Sequence, residues 1–443
     1  MTGFAMAGWL RRGGALRRKG CKNVSNPQTE PIRFRTIVLL HAGASLFIQS
    51  VWFAVSTMMP VLARKRFAAG DWETLLITAS VPTLLVMSIF WNAILQRLTL
   101  RRYLIAHGFS VCVPLVLAAL ATRFEHLLAA YALAAIGISG WSPASGEVLK
   151  RLYGSGIRGR AFAMVNTGVF LGMTAFSYGI GLALDFDENS FRVYLPAGAG
   201  LYAAGIFFLR RLVALQSAAT GQIYEMAPAA PLRLVSLLRP VLHLRSVLAA
   251  DRTFYAYEAA FMTYGIGWMI CNALLPVFAT DRLHMTYGEF ATSSQTVYAI
   301  GLLVLTLPMG WLMDQIGPAK TSAVSFACLG LYPVALLCST EAHHVAWASL
   351  LYGGAMAGVN LTWMLGPVSL APTPEKVAHY VAIHTTLVGL RGVVAQGLGM
   401  FLYRATGSFA CPLLIASVAF LWAAWRMRAL GLVRLGRDVA AKT

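Results

Sequence analysis

The sequence predicts an all-α membrane protein of about twelve transmembrane helices, arranged as two pseudo-symmetric six-helix halves. Hydrophobic residues make up 58% of the 443 residues and charged residues only 12%, whereas a soluble protein has roughly 25% charged residues. The apolar residues form runs of about 20, the length that crosses a bilayer. One long polar interval divides these runs six and six. A soluble core could not contain so many such runs.

The apolar runs place the spans along the chain. The first six lie near 36–63, 72–95, 104–122, 127–148, 161–184 and 193–209. The second six lie near 254–279, 292–312, 322–340, 345–371, 381–403 and 409–425. The organisation is therefore a basic extension, a first half, a central loop, a second half and a tail, at 1–35, 36–209, 210–253, 254–425 and 426–443.

The placement of Lys and Arg predicts the orientation. Of the 36 basic residues, 28 fall in the termini, the central loop and the loops after spans 2, 4, 8 and 10, while 7 fall on the opposite side. The positive-inside rule then puts both termini in the cytoplasm. The net charge of +19 is thus explained by topology, and no nucleic-acid partner is expected. We expect a multi-pass monomer in the lipid bilayer of a bacterial inner membrane.

The second half repeats the first at an offset of 218 residues. Residues 92–96 fall on 310–314, Arg102 on Lys320, Asn166 on His384 and Gly179 on Gly397. Because the offset is constant through loops and spans, it indicates duplicated six-helix units.

Residues 310–320, Gly-Trp-Leu-Met-Asp-Gln-Ile-Gly-Pro-Ala-Lys, resemble a loop of the major facilitator superfamily, G-x-x-x-D-x-x-G-x-[RK]-[RK]. That family places its second copy of the loop between spans 8 and 9. The first copy here, residues 92–102, has Gln96 and Thr99 in place of the Asp and the second Gly. Glu147 with residues 158–161 resembles the family's loop between spans 4 and 5. The resemblance implies a transporter whose spans 1, 4, 7 and 10 line a central cavity.

Asp314 is predicted to form a clasp on the cytoplasmic face. Gly310 and Gly317 permit a tight reversal, and a carboxylate there can accept from a helix N-terminus or pair with a guanidinium. By pseudo-symmetry the nearest partners are Arg158 and Arg160, and Lys320 supplies the basic end of the motif. The alternative is a solvated turn whose ion pair contributes ~0–1 kcal/mol.

Arg391, midway along span 11, is the strongest candidate for a substrate contact. A central Arg costs about 2.5–3.5 kcal/mol on insertion scales, and His384 lies seven residues earlier on nearly the same helix face. Arg391 forms a cationic wall for an anionic substrate, or is held structurally by carbonyls or a carboxylate. Glu258 in span 7 pairs with His384 or Arg391, carries a coupling proton, or is a snorkelling acid at the membrane edge.

Four further residues complete the candidate set. The resemblance makes Trp141 in span 4 and Asn360 and Trp363 in span 10 candidate substrate contacts, and Gln49 lies near the centre of span 1. An aromatic residue in a span is more often packing than recognition.

The sequence therefore predicts a secondary active transporter for a small solute, anionic if Arg391 binds it, with a coupling proton or ion. The six cysteines have no metal-ligand spacing and no nucleotide-binding or catalytic motif occurs, so no cofactor, metal or enzyme activity is expected. The alternative is a transporter-like receptor or assembly factor, which the degenerate first loop favours. Span 4 lacks the Arg that drug–proton antiporters of the family carry, which argues against a drug exporter.

Overall fold

The computed structural model describes residues 34–153, 158–220, 244–372 and 377–440, and these ranges contain helices and turns but no strand. Nine helical segments are long and apolar enough to cross a bilayer, and one of them, Tyr287–Leu337, consists of two helices joined at Gly317. Two further helices of 29 and 30 residues, Ala342–Leu370 and Val377–Thr406, complete a set of twelve within the described ranges.

The helices are numbered in chain order. Those of the first half are α1 (Phe34–Arg66), α2 (Asp71–Leu95), α3 (Leu100–Ala119), α4 (Phe124–Leu152), α5 (Arg158–Phe186) and α6 (Phe191–Thr220). A short helix, Leu244–Ala250, precedes the second half, which comprises α7 (Arg252–Arg282), α8 (287–316), α9 (318–337), α10 (Ala342–Leu370), α11 (Val377–Thr406) and α12 (Ala410–Ala440). The predicted fold class is confirmed.

The reversal between α8 and α9 depends on Gly317. Its φ of +77° lies in the region that residues with a Cβ rarely adopt. At Gly310, in contrast, an added Cβ would lie 3.8 Å from Leu361 Cδ1, which is ordinary contact. Of the two glycines predicted to shape this loop, only Gly317 is required by the backbone.

Helix α4 is broken near Ser139 and Gly140, and side chains from neighbouring helices satisfy the carbonyls around the break. Trp91 Nε1 of α2 donates to the Ile136 carbonyl at 2.8 Å, and Tyr103 of α3 donates its hydroxyl to the Gly140 carbonyl at 2.7 Å. A ring nitrogen of His107 lies 3.1 Å from the Gly137 carbonyl. A broken helix is tolerated in a membrane only where its backbone groups find such partners.

The two halves touch mainly along α2 with α11 and along α5 with α8. Small residues allow the close approach. A Cβ added at Gly392 of α11 would lie 3.1 Å from Pro82 Cβ of α2, and one at Gly181 of α5 would lie 2.5 Å from Ala291 Cβ of α8. Helices α2, α5, α8 and α11 therefore form most of the interface between the two halves.

Candidate functional site

A buried acid–histidine pair joins α7 to α11. Both carboxylate oxygens of Glu258 lie 2.9 Å from Nδ1 of His384. Each residue is only 1% exposed, so water does not screen the contact between the described groups. Of the alternatives that the sequence left open for Glu258, the structure shows pairing with His384.

The His384 ring is held between aromatic side chains of two helices. Phe261, one turn after Glu258 on α7, meets it edge-on with centroids 5.2 Å apart, and Trp363 of α10 lies at 5.5 Å. These contacts fix the ring while Nδ1 faces the carboxylate. The other nitrogen, Nε2, is buried and has no hydrogen-bond partner among the described residues. It is therefore an unpaired polar atom in the described interior of the bundle.

Arg391 lies two turns further along α11, and no carboxylate of the described residues pairs with it. Its Nη1 donates to the backbone carbonyl of Phe261, and its guanidinium carbon lies 5.5 Å from the centroid of the Tyr264 ring, a cation–π contact. The side chain is 8% exposed, and its Nε has no partner in the described part of the chain.

Gly265 of α7 creates the space that Arg391 occupies. A Cβ at position 265 would lie 1.9 Å from Cζ and 2.0 Å from Nη1 of Arg391, far inside van der Waals contact. The planar guanidinium therefore lies flat on the glycine backbone. Gly265 and the Phe261 carbonyl are part of the site. The sequence does not indicate either of them, because neither Gly265 nor Phe261 has a polar side chain.

Of the candidates outside α7 and α11, only Trp363 of α10 contacts this pair among the described residues. Trp363 packs on His384, and Asn360, one turn earlier on the same helix, is exposed. Trp141 instead stacks on His107 of α3 with centroids 6.0 Å apart, within the packing around the α4 break. Gln49 is half-buried in a π-helical turn of α1, Leu46–Ser50.

The predicted cytoplasmic clasp is only partly described. Asp314 is exposed and forms no ion pair with any described residue. Lys320 lies along α12, where a Cβ at Gly431 would be 2.7 Å from its Cγ. The side chains of Arg158 and Arg160 lie outside the described residues, so the predicted pairing with Asp314 stays a prediction.

An ion network on the opposite face does join the two halves, and the sequence reasoning missed it. Arg64 at the end of α1 binds Asp281 at the end of α7 through two hydrogen bonds, one of them from Nε at 2.7 Å. It also binds Asp71 of α2 at 2.8 Å, and Asp71 in turn binds Arg404 of α11 at 2.9 Å. Two acids and two arginines thus link four helices, two from each half. We call these four residues the outer clasp.

A second link on that face is made by Asp185 of α5. Its carboxylate accepts from the backbone N–H groups of Tyr287 at 2.7 Å and Gly288 at 2.8 Å, and from the Thr286 hydroxyl at 3.0 Å. An acid at a helix N-terminus is stabilised by the helix dipole. The hydrogen bonds and ion pairs that join described residues of the two halves all lie between this face and mid-depth, so the described contacts close the bundle at this end.

A bundle of twelve helices in two similar halves, with ionisable groups buried where α7, α10 and α11 meet, defines a membrane transporter. The chain belongs to the Major Facilitator Superfamily, whose family model matches residues 37–396. That family consists of transporters rather than enzymes. No curated protein matches the chain by sequence.

Solved structures confirm the fold at low sequence identity. A peptide transporter POT in complex with sulfate matches with a TM-score of 0.69 and 14% identity, over 91% of this chain and 95% of that chain. The human organic anion transporter MFSD10 matches with a TM-score of 0.66 and 14% identity, over 90% and 100%. A variant of the nucleoside transporter NupG matches with a TM-score of 0.62 and 14% identity, over 90% and 99%.

Proposed function

We propose that the chain is a secondary active transporter that moves a small anionic solute together with a proton by alternating access. The observation that carries the proposal is the buried Arg391, which has no carboxylate partner among the described residues and lies two turns from His384 of the buried Glu258–His384 pair. A buried charge that lacks an opposite charge is costly. A bound carboxylate or phosphate would supply that charge and could accept from the free Nε.

Charge balance connects the solute to the proton. With a neutral His384, the carboxylate of Glu258 and the guanidinium of Arg391 cancel. Protonation of His384, whose Nδ1 already lies 2.9 Å from Glu258, leaves the three groups with a net charge of +1. A monoanion restores neutrality, so proton and anion each favour binding of the other, and by linkage the coupling is reciprocal.

The outer clasp and the Asp185 link support the alternating-access part of the proposal. They hold the halves together on one face, and Asn360 and Asp314, nearer the other end of α10 and α8, are exposed. With both termini in the cytoplasm, as the basic residues predict, this is a state open to the cytoplasm. We place the chain in a bacterial inner membrane as a monomer, with residues 36–209 and 254–425 as the moving halves.

The resemblance to a human organic anion transporter is consistent with an anionic solute. Outward opening requires the outer clasp to separate, and the Asp314 loop would then close against α5 on the cytoplasmic face. The solute and proton would be exposed to each side in turn.

The proposal is tested by uptake into proteoliposomes. Radiolabelled small carboxylates would be offered with and without an inward proton gradient, and exchange of unlabelled for labelled solute would be measured in parallel. Exchange needs binding and movement but no net proton transfer. We expect Glu258→Gln to keep exchange and lose gradient-driven accumulation, and Arg391→Ala to lose both.

His126→Gln changes an exposed histidine and serves as the matched control, with wild-type behaviour expected. Full proton-driven accumulation by Glu258→Gln would overturn the coupling role. Full transport by Arg391→Ala would overturn the anion contact. Specific binding of a carboxylate with neither exchange nor uptake in wild-type protein would favour the receptor alternative.

A further inference from the structure

A cavity lined by three arginines lies between α3 and α6, at the end of the bundle where α3 begins and α6 ends. Its volume is about 210 Å³, and the described residues that line it are Arg101, Phe207, Arg210 and Arg211. It lies in the first half alone, apart from the Glu258–His384 pair and Arg391 of the second half. Nothing in the proposed transport cycle uses these groups.

The antiparallel packing of α3 on α6 brings the arginines together. His107 Nε2 lies 2.8 Å from the Tyr202 hydroxyl, and Cys112 Sγ lies 3.2 Å from the Ala199 carbonyl. Continued along both helices, this register sets Arg101, at the start of α3, opposite Arg210 and Arg211. The Arg210 Nε is buried and has no partner among the described residues.

The charges in the cavity are not compensated by either helix. Neither Leu100–Ala119 nor Phe191–Thr220 contains an Asp or Glu, and the ion pairs among described residues include none of the three arginines. Like charges at short range repel. An anion with several acceptor oxygens would relieve the repulsion, and guanidinium groups match phosphate geometry.

The position of the cavity indicates the source of the phosphate. Phe207 and Phe208 are 49% and 54% exposed beside it, and large apolar residues such as Phe109 and Leu117 of α3 are exposed deeper along the same pair of helices. This outer surface is the part of the bundle that lipid chains cover. Basic pockets between helices on the cytoplasmic side are suited to anionic head groups.

We propose that this cavity binds the phosphate of one anionic phospholipid, with Arg101, Arg210 and Arg211 around the head group and Phe207 against its acyl chains. The guanidinium carbon of Arg211 lies 5.4 Å from the centroid of the Phe207 ring, which holds a cation and an apolar surface side by side. The lipid would thereby bridge α3 and α6.

The second half provides a matched control. At the 218-residue offset, Arg210 corresponds to Arg428 of α12, but Arg101 and Arg211 correspond to Ala319 and Ala429. The cluster is therefore not repeated, and α12 carries Arg426 and Arg428 at the equivalent end of the equivalent helix. The Arg426→Gln, Arg428→Gln variant removes the same number of charges as a double substitution in the cavity, and neither residue lines the cavity.

The test is native mass spectrometry of the purified full chain titrated with dioleoyl phosphatidylglycerol or dioleoyl phosphatidylcholine. We expect one tight phosphatidylglycerol site in the wild-type protein, with phosphatidylcholine binding at least about tenfold more weakly. The Arg210→Gln, Arg211→Gln variant should weaken that site by about tenfold, equivalent to about 1.4 kcal/mol. The Arg426→Gln, Arg428→Gln variant should leave it unchanged.

Three results would overturn the proposal: equal binding of both lipids, equal loss in the Arg426→Gln, Arg428→Gln variant, or no loss in the Arg210→Gln, Arg211→Gln variant. Inorganic phosphate is titrated against bound phosphatidylglycerol in a separate arm. Displacement at equal concentration would assign the cavity to soluble phosphate instead of lipid. Should the Arg210→Gln, Arg211→Gln variant fail to fold, Arg101→Gln, an exposed residue at the start of α3, gives the same comparison.

Discussion

Replacing Gly265 by alanine displaces Arg391 while leaving its charge in place. The added methyl carbon would lie 1.9 Å from Cζ, 2.0 Å from Nη1 and 2.2 Å from Nε. The guanidinium must move by more than 1 Å to reach ordinary contact, which takes Nη1 away from the Phe261 carbonyl. Gly265→Ala therefore tests the position of the Arg391 charge without removing that charge.

Two alternative losses of stability set the size of the effect, depending on whether the Arg391 side chain moves. A hydrogen bond from a charged donor contributes about 1.5–3 kcal/mol, and overpacking a well-filled site costs about 1–3 kcal/mol. Since the side chain either moves or stays, only one of these losses applies. Alanine gains roughly 1 kcal/mol over glycine within a helix. Gly397→Ala on α11 is the control, because no atom lies within 4 Å of its added Cβ.

We expect Gly265→Ala to be about 1–3 kcal/mol less stable than Gly397→Ala, combining the loss at Arg391 with the shared helix gain. Thermal unfolding in detergent measures this difference, and exchange in proteoliposomes measures anion binding. Exchange should fall in Gly265→Ala and persist in Gly397→Ala. Equal melting temperatures together with equal exchange would refute the placement of Arg391 on Gly265.

Three further outcomes follow from contacts outside this site. Arg64→Gln removes the cation that two acids of the outer clasp share. A membrane-impermeant maleimide added from the periplasmic side should then label a Gln295→Cys reporter about fivefold faster, equivalent to about 1 kcal/mol. An unchanged labelling rate would contradict a locking role for the outer clasp. Asp314→Asn should slow transport and leave thermal unfolding unchanged, and an unchanged rate would make the loop a plain turn. Tyr103→Phe removes the shorter of two hydrogen bonds to the Gly140 carbonyl, the other coming from the Ala144 N–H, and should lower the free energy of unfolding by about 1 kcal/mol, measured by denaturant titration; an unchanged free energy would contradict a stabilising role for this hydroxyl.

Helix positions were the most predictable feature, because a bilayer demands long apolar runs and little else produces them. Helix α3 ends at Ala119, three residues before the predicted end of span 3 at residue 122. The interruptions were less visible. The π-helical turn of α1, Leu46–Ser50, has no Gly or Pro to indicate it. The break in α4 coincides with Gly140 and precedes Pro143, which lacks a backbone N–H donor.

The Glu258–His384 pair was within reach of the sequence, because ionisable residues at similar depths in two spans have few partners other than each other. The environment of Arg391 could not be predicted from the sequence. Its hydrogen-bond acceptor is a backbone carbonyl, and it occupies the space left by the missing side chain of Gly265. The outer clasp was also missed. Arg64 and Asp281 are separated by 217 positions, and each alone resembles an ordinary solvated loop charge.

The break in α4 has a consequence for how this helix would tolerate change. Three side chains of α2 and α3, Trp91, Tyr103 and His107, add hydrogen bonds to carbonyls at the break, so the stability of this helix depends in part on two others. A chimaera that exchanged α4 alone for a continuous helix would strand three donors in the apolar interior. In sequences related to this chain, Gly140 and these three positions should therefore change together or remain unchanged together.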